Sequence, residues 1–92
     1  MDGPVRTVRT SSFYGIAIYM YFGDHQPPHF HAIYGDDEAA IAIENGAIIA
    51  GRLPRRASKQ LTEWIDLHRE ELLANWRAAV NNEPLRPINP LE

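Results

Sequence analysis

The chain lacks several features that would assign it to a familiar class of protein. None of its 92 residues is cysteine, which excludes disulfide bonds and thiolate metal ligands. It has no apolar run near the ~18 residues that a membrane-spanning helix needs, and residues 1–10 lack the apolar core of a secretory signal. The formal net charge of -3 is not that of a strongly basic nucleic-acid-binding domain. These absences favour a small cytoplasmic domain without a membrane segment.

Glycine and proline are also absent from the stretch between Arg55 and Glu83, which predicts a helix. Pro54 suits the first helical position, where a backbone N–H is not needed. One stripe at helical spacing consists of Ala57, Leu61, Trp64, Ile65, His68, Leu72, Trp76 and Ala79. An unbroken helix over this span would be roughly 40 Å long, whereas a domain of this size is about 30 Å across. We therefore expect one long helix that either bends near residues 68–71 or overhangs the domain at one end, or else two helices.

Alternating apolar residues and turn signals predict four strands before the helix. The predicted strands cover residues 14–22, 29–34, 38–44 and 47–52. Asn45 and Gly46 form the strongest hairpin signal, because both central residues of a type I′ turn need positive φ. The expected fold class is α+β: a four-stranded antiparallel meander, one long or bent C-terminal helix (or two helices) on one face, and an extended tail from Pro84. Residues 1–12 are expected to form a flexible arm or a short edge segment before a single domain at residues 13–92.

Three of the four histidines lie in the run Gly-Asp-His-Gln-Pro-Pro-His-Phe-His at residues 23–31. Histidine titrates near neutral pH without perturbation and is the commonest metal ligand. His29 and His31 share one face of a strand because strand side chains alternate. If a six-residue turn precedes this strand and a three-residue turn follows it, the helix covers the face that carries His29 and His31. His29, His31 and His68 are then expected to meet between sheet and helix. A register change of one residue would turn the strand histidines to the opposite face.

These histidines support more than one chemistry. As catalytic residues, His29, His31 and His68 would serve metal-free RNA cleavage, in which one imidazole removes the 2′-hydroxyl proton and another protonates the leaving oxygen. In an alternative interpretation His29 and His31 bind zinc, which suits a histidine site with an open position; otherwise no cofactor is expected. A third interpretation leaves them as hydrogen-bonded structural residues. Asp24 and His25 are expected beside the site, where a carboxylate can orient an imidazole.

Four basic residues surround the predicted start of the helix. They are Arg52, Arg55, Arg56 and Lys59. In this position they could bind nucleic-acid phosphates, helped by the partial positive charge of the helix N-terminus. The alternative interpretation is an ordinary solvated surface.

Several segments carry a family resemblance. In the strand region they are Phe13-Tyr14-Gly15-Ile16, Met20-Tyr21-Phe22 and Asp24-His25-x-Pro27-Pro28-His29-Phe30-His31-Ala32. In the helical region they are Leu53-Pro54-x-Arg56-Ala57, Trp64-Ile65-x-Leu67-His68-Arg69-Glu70-Glu71-Leu72 and Asn75-Trp76. Over roughly residues 11–91 the chain resembles a family of small bacterial proteins, domain of unknown function family 4160.

The resemblance implies a cytoplasmic bacterial protein. Members are often encoded beside another small domain, in an arrangement similar to toxin–antitoxin pairs. We therefore expect a component of such a pair that acts on RNA or DNA, with a small partner protein encoded alongside it. The alternatives are a non-catalytic protein-interaction module, which the acidic net charge and a tyrosine-rich face suit, and a histidine-based metal-binding domain. Because the family brings no established activity, the sequence leaves open whether the chain is an enzyme and whether it forms a homodimer.

Overall fold

The structure, a computed structural model, describes residues 7–92, which form one sheet and one helix. The elements are β1 (Thr7–Phe13), β2 (Ile16–Tyr21), β3 (His29–Tyr34), β4 (Asp37–Ala42), β5 (Ile48–Gly51) and α1 (Arg55–Val80). The strands pair in chain order as an antiparallel meander, with β1 and β5 at the edges. The α+β class and the meander are therefore confirmed, with five strands rather than four. No helix within residues 7–92 is long and apolar enough to cross a membrane.

The additional strand, β1, occupies part of the segment that the sequence predicted as a flexible arm. Residues 7–12 instead pair with β2, whereas residues 1–6 lie outside the described residues. The pairing shifts between Arg9 and Ser11, as it does at a β-bulge. Phe13 ends the strand and joins the core. The flexible-arm interpretation does not describe residues 7–12, which form the alternative, a short edge segment. Threonine, with its branched Cβ, suits such a pleated strand.

The helix covers one face of the sheet and forms the core with it. The largest buried residues are Ile16, Ile18, Met20, Phe30, Ile41, Ile43, Leu61, Trp64, Ile65 and Leu72. The ring of Trp64 lies 5.1 Å from Phe13 and 5.9 Å from Phe30, measured between centroids. The helix changes direction at His68, whose φ of -126° and ψ of 21° are not helical. The expected bend is therefore confirmed, and it lets a helix of 26 residues follow a small sheet.

The C-terminal tail is extended, as expected, and it is bonded to both the helix and β1. The indole N–H of Trp64 donates to the carbonyl of Asn89 at 2.8 Å. The backbone N–H of Ile88 donates to the carbonyl of Thr10 at 2.8 Å, at the bulge of β1. Ile88 is itself buried. The tail thus supplies a partner at the edge of the sheet and closes one end of the core.

The register of β3 differs from the expected one and reverses the orientation of its histidines. His31 pairs with Tyr19 and not with Met20. On the other side of β3, Tyr34 pairs with Asp37, so the turn contains two residues rather than three. A shift of one residue moves every side chain of a strand to the other face. His31 therefore lies on the face opposite the helix, while Phe30 and Ala32 enter the core. His29, at the start of β3, is buried beside Trp76 of the helix.

Candidate metal centre

Two imidazole rings converge on one carboxylate oxygen, that of Asp24, at the start of β3. His29 and His31 point to the same side of the strand, and the loop of residues 22–28 brings Asp24 between them. The Oδ2 atom of Asp24 lies 2.9 Å from His29 Nε2 and 3.0 Å from His31 Nε2. The potential ligand atoms of the three residues all lie within 4.8 Å of one another. We call this group the histidine cluster.

His29 is the inner member of the cluster and is only 2 % exposed. Its ring lies 5.3 Å from that of Trp76, between centroids, which ties the cluster to the helix. Its Nδ1 lies 2.7 Å from the carbonyl oxygen of Pro27. A carbonyl can only accept a hydrogen bond, so Nδ1 carries a hydrogen and donates it. The other ring nitrogen, Nε2, faces Asp24.

His31 is the outer member, with 17 % of its side chain exposed. The ring of Tyr21 stacks on it, with centroids 4.1 Å apart and planes 10° from parallel. His31 Nδ1 lies 3.9 Å from Oε2 of Glu38 on the neighbouring strand. One ring nitrogen of His31 thus faces Asp24, and the other faces a second carboxylate.

The environment keeps Asp24 ionised. Partial burial alone raises the pKa of its carboxyl group. The hydrogen bonds from the His31 ring and the His25 backbone, together with the charges of His29 and His31, outweigh burial and lower this pKa overall. Asp24 is therefore an anionic oxygen donor that faces two imidazole nitrogens. In contrast, burial raises the pKa of Tyr21, and the charges of Glu38 and Asp24 raise it further.

His25 lies beside the cluster but outside its converging atoms. Its side chain is 82 % exposed, and its Nε2 is 3.8 Å from Asp24 Oδ1. Its backbone N–H donates to Asp24 Oδ1 at 3.0 Å, and its Nδ1 donates to the carbonyl of Gln26 at 2.9 Å. The loop therefore orients Asp24 through the backbone of its next residue. Asp24, expected to act only by orienting an imidazole, is itself one of the converging donors.

His68 is not a member of the cluster, so the expected meeting of three imidazoles does not occur. It lies at the bend of the helix, where its Nδ1 is 2.5 Å from Oε1 of Glu71 and its ring packs 5.6 Å from that of Trp64. The reason is the register of β3. Because β3 places His31 on the face opposite the helix, His68 on the helical stripe does not reach it. The helix contacts the cluster instead through Trp76, which packs on His29.

The four basic residues predicted to bind nucleic acid are all exposed, and they lie just before the helix and in its first turns. They are Arg52, Arg55, Arg56 and Lys59. Arg52 forms an ion pair with Asp37, with 3.4 Å between Nε and Oδ1. None of the contacts described within residues 7–92 joins these four residues to the histidine cluster.

A model of the family described as Domain of unknown function (DUF4160) matches residues 15–77. The chain belongs to the DUF4160 family. The matched segment contains the whole histidine cluster, Tyr21, Glu38 and most of the helix, whereas β1 and the tail lie outside it. No curated protein and no solved structure matches this DUF4160 chain.

The sequence missed two residues around the cluster, Tyr21 and Glu38. Neither is close to His31 in the chain, and each reaches it only through strand pairing. In the observed register Tyr21 lies on β2 and Glu38 on β4, on either side of β3. Their involvement could have been found only from the correct pairing of all three strands.

Proposed function

We propose that this chain is a metal-binding module in which Asp24, His29 and His31 hold a divalent transition-metal ion, with Zn²⁺ preferred. The observation that carries the proposal is the convergence of two imidazole Nε2 atoms on one carboxylate oxygen, at 2.9 and 3.0 Å. Two histidine nitrogens and one carboxylate oxygen are a donor set of catalytic zinc sites and of non-haem iron sites. All three donor residues lie on β3 or in the loop that precedes it.

The hydrogen bond of His29 to Pro27 supports a cation at this position. With a hydrogen on Nδ1, the lone pair of Nε2 in the neutral ring is directed at the anionic Asp24. Two electron-rich atoms 2.9 Å apart repel each other, and a cation between them replaces the repulsion with attraction. Metal-bound histidines almost always donate their other N–H to a carbonyl or carboxylate, as His29 does to Pro27. A metal ion would take the place of the positive charge through which the His29 ring lowers the pKa of Asp24.

The distances are close to those that ligation requires. Zinc–nitrogen bonds are about 2.0–2.1 Å and zinc–oxygen bonds about 2.0–2.2 Å. Tetrahedral ligation at these lengths separates neighbouring donor atoms by about 3.3 Å. The loop carboxylate of Asp24 therefore needs only a small outward movement to admit the ion. Because Asp24 and His31 remain partly exposed, water can reach the ion from their side.

The same geometry gives less support to metal-free RNA cleavage by His29 and His31. A general acid or base must approach the proton that it transfers within hydrogen-bonding distance. His29 is 2 % exposed, and its two nitrogens are directed at Pro27 and Asp24. Its ring therefore has little access to a phosphodiester, whereas a small ion fits between the existing donors.

The direct test is a competition titration of the metal-free chain with Zn²⁺ and a chromophoric chelator. We expect binding of one ion per chain, and a loss of affinity of at least about 100-fold in Asp24→Asn and His31→Gln, more than the effect of removing residues that only support ligands. His68→Gln is the matched control, because it removes a histidine outside the cluster, and it should bind like the parent. Circular dichroism verifies the fold of each variant. Absence of binding by the parent, or equal binding by all variants, would refute the proposal.

A second candidate function is a role on RNA or DNA as one component of a toxin–antitoxin-like pair. It is supported by the exposure of Arg55, Arg56 and Lys59 near the start of the helix. Lysine and arginine that neutralise phosphates make binding salt-dependent. Fluorescence anisotropy with a labelled RNA oligonucleotide tests this role: Arg55→Glu/Arg56→Glu should abolish binding, and Arg69→Glu should not. Equal binding by both variants would exclude this surface.

A further inference from the structure

We infer that Tyr21 and Glu38 are positioning residues that hold the ring of His31 with its Nε2 toward the ion. The inference rests on the proposed metal site, which it extends to two residues that do not touch the ion. Both lie on strands that flank β3, and both contact His31 from directions other than that of Asp24. Side chains on the face of the sheet opposite the helix would then hold His31, the outer ligand of the cluster, in place.

Strand pairing explains how Tyr21 and Glu38 meet across His31. Tyr19 is the direct neighbour of His31 on β2, and Ala40 is its direct neighbour on β4. Tyr21 and Glu38 lie two residues away from these neighbours, at diagonal positions that long side chains can reach. The carboxylate of Glu38 also interacts with the Tyr21 phenol, whose pKa it raises. The phenol ring lies over the imidazole, and Glu38 anchors it on the far side of that ring.

Each contact restrains a different motion of His31. The parallel stack of the Tyr21 and His31 rings, with centroids 4.1 Å apart, restrains tilting of the imidazole out of its plane. When an ion displaces the proton that His31 Nε2 donates to Asp24, Glu38 Oε2, 3.9 Å from Nδ1, favours a hydrogen on Nδ1 and leaves Nε2 as the ligand atom. A carboxylate behind a metal-bound histidine fixes its tautomer and makes it a stronger ligand. Glu38 is half exposed, and its carboxylate interacts with the Tyr21 phenol as well as with His31.

The test compares Tyr21→Phe and Glu38→Ala with Tyr19→Phe in the same zinc titration. Tyr21→Phe keeps the stacked ring but removes the hydroxyl, and Glu38→Ala removes the anchor and the charge behind Nδ1. We expect a 10- to 100-fold loss of affinity, about the effect of removing a residue that supports a metal ligand. Tyr19→Phe, on the same strand and face, should bind within about twofold of the parent. If the parent binds zinc and the two variants bind equally well, the positioning role is refuted while the metal site stands.

A second readout does not depend on any metal. In the metal-free chain the stacked Tyr21 ring should shift the ring-proton NMR signals of His31 upfield, and Tyr21→Leu should remove this shift. Glu38→Ala should reduce it, because the phenol loses its anchor, and Tyr19→Phe should leave it unchanged. An unaltered His31 spectrum in Glu38→Ala would overturn the inference even if the parent bound no zinc. A parent chain that binds no zinc but shows these shifts would instead refute the metal site alone.

Discussion

Asn75 of the helix is hydrogen-bonded through both groups of its side-chain amide to the backbone of Arg86 in the tail. Its Nδ2 donates to the Arg86 carbonyl at 2.8 Å, and its Oδ1 accepts from the Arg86 N–H at 2.9 Å. Asn75 is buried, so these two bonds replace the water that the amide loses on folding. The relationship makes the tail a stabilising part of the domain, although the tail lies outside the segment that defines the family.

Asn75→Ala should therefore destabilise the domain substantially. The substitution removes two hydrogen bonds and leaves the Arg86 backbone groups without partners, which should lower the free energy of unfolding by about 2–4 kcal/mol. Asn89→Ala is the matched control, because Asn89 is exposed and is used only through its backbone carbonyl. Urea denaturation of both variants measures the difference. Equal stabilities would contradict a clamping role for Asn75.

Gly51→Ala should destabilise the pairing of β4 with β5. A Cβ atom at this position would lie 2.1 Å from the carbonyl oxygen of Glu38, and φ is also unfavourable at +75°. The control is Gly23→Ala, where φ is +77° but no atom lies within 4 Å of the added methyl group. The control should cost about 1–2 kcal/mol from backbone strain alone. Gly51→Ala should cost at least about 2 kcal/mol more, because backbone atoms must move.

Thermal and urea unfolding of the two glycine variants provide the comparison. Because φ is nearly the same at both glycines, backbone strain contributes about equally to the two variants. The difference between their free energies of unfolding therefore measures the contact with Glu38. If both variants lost the same stability, the close approach of the two strands would not be a property of the folded protein. The same displacement would move Glu38, so Gly51→Ala should also disturb the stack of Tyr21 on His31.

The helix could be predicted from the sequence in some detail because its signal is long and redundant. An uninterrupted stretch without glycine or proline, one apolar stripe and a length greater than the domain together predicted a bent or overhanging helix, and the structure has the bend, at His68. Strand β1 could not be recognised in the same way. Its polar residues pair with β2 at the edge of the sheet, where the strand is only partly buried. Its sequence therefore lacks the apolar alternation by which a strand is recognised.

The histidine cluster could be predicted in its members on β3 but not in its orientation. A turn between β3 and β4 that is shorter by one residue was sufficient to reverse the face of His29 and His31. One signal did favour the observed register: Phe30 and Ala32 are apolar and alternate with the histidines, so they are the natural core residues of the strand. Asp24 reaches the cluster through the path of a loop, which no periodicity encodes.

The pKa of Tyr21 predicts a loss of stability at alkaline pH. Burial, followed by the charges of Glu38 and Asp24, raises this pKa above its ordinary value of about 10. The native state therefore keeps the proton at a pH where the unfolded chain has lost it, so the free energy of unfolding falls as pH rises from about 10 through the native pKa. Below pH about 10 both states hold the proton, and the contribution is fully present.

Chemical denaturation at several pH values on either side of 10 tests this dependence by comparing the parent with Tyr21→Phe. The difference in stability between them should shrink as pH rises, because the variant has no phenol to ionise at this position. Tyr19→Phe retains Tyr21 and should follow the parent. Parallel curves for the parent and Tyr21→Phe would show that the environment of Tyr21 does not disfavour its ionised form.

The two strand histidines should differ in their effect on the metal-free fold. His29→Ala removes a buried ring that packs on Trp76 and leaves the Pro27 carbonyl without its donor, which should cost about 2–4 kcal/mol. His31→Ala affects a more exposed ring and should cost less than about 1.5 kcal/mol. Urea denaturation in the presence of a chelator measures both values. Similar costs would contradict the inner and outer positions of the two rings.

Addition of Zn²⁺ should then separate the structural contribution of each ring from its contribution to metal binding. A ligand at a free concentration of 100 times its dissociation constant stabilises a native state by about 2.7 kcal/mol. The parent should gain this amount, whereas His29→Ala and His31→Ala should gain almost nothing, although their metal-free stabilities differ. His25→Ala is the control, since its exposed ring lies outside the converging donors, and it should gain as much as the parent. Equal stabilisation of His31→Ala and the parent would mean that the ion binds elsewhere. Removal of a true ligand lowers the affinity for Zn²⁺, and with it the stability that Zn²⁺ adds.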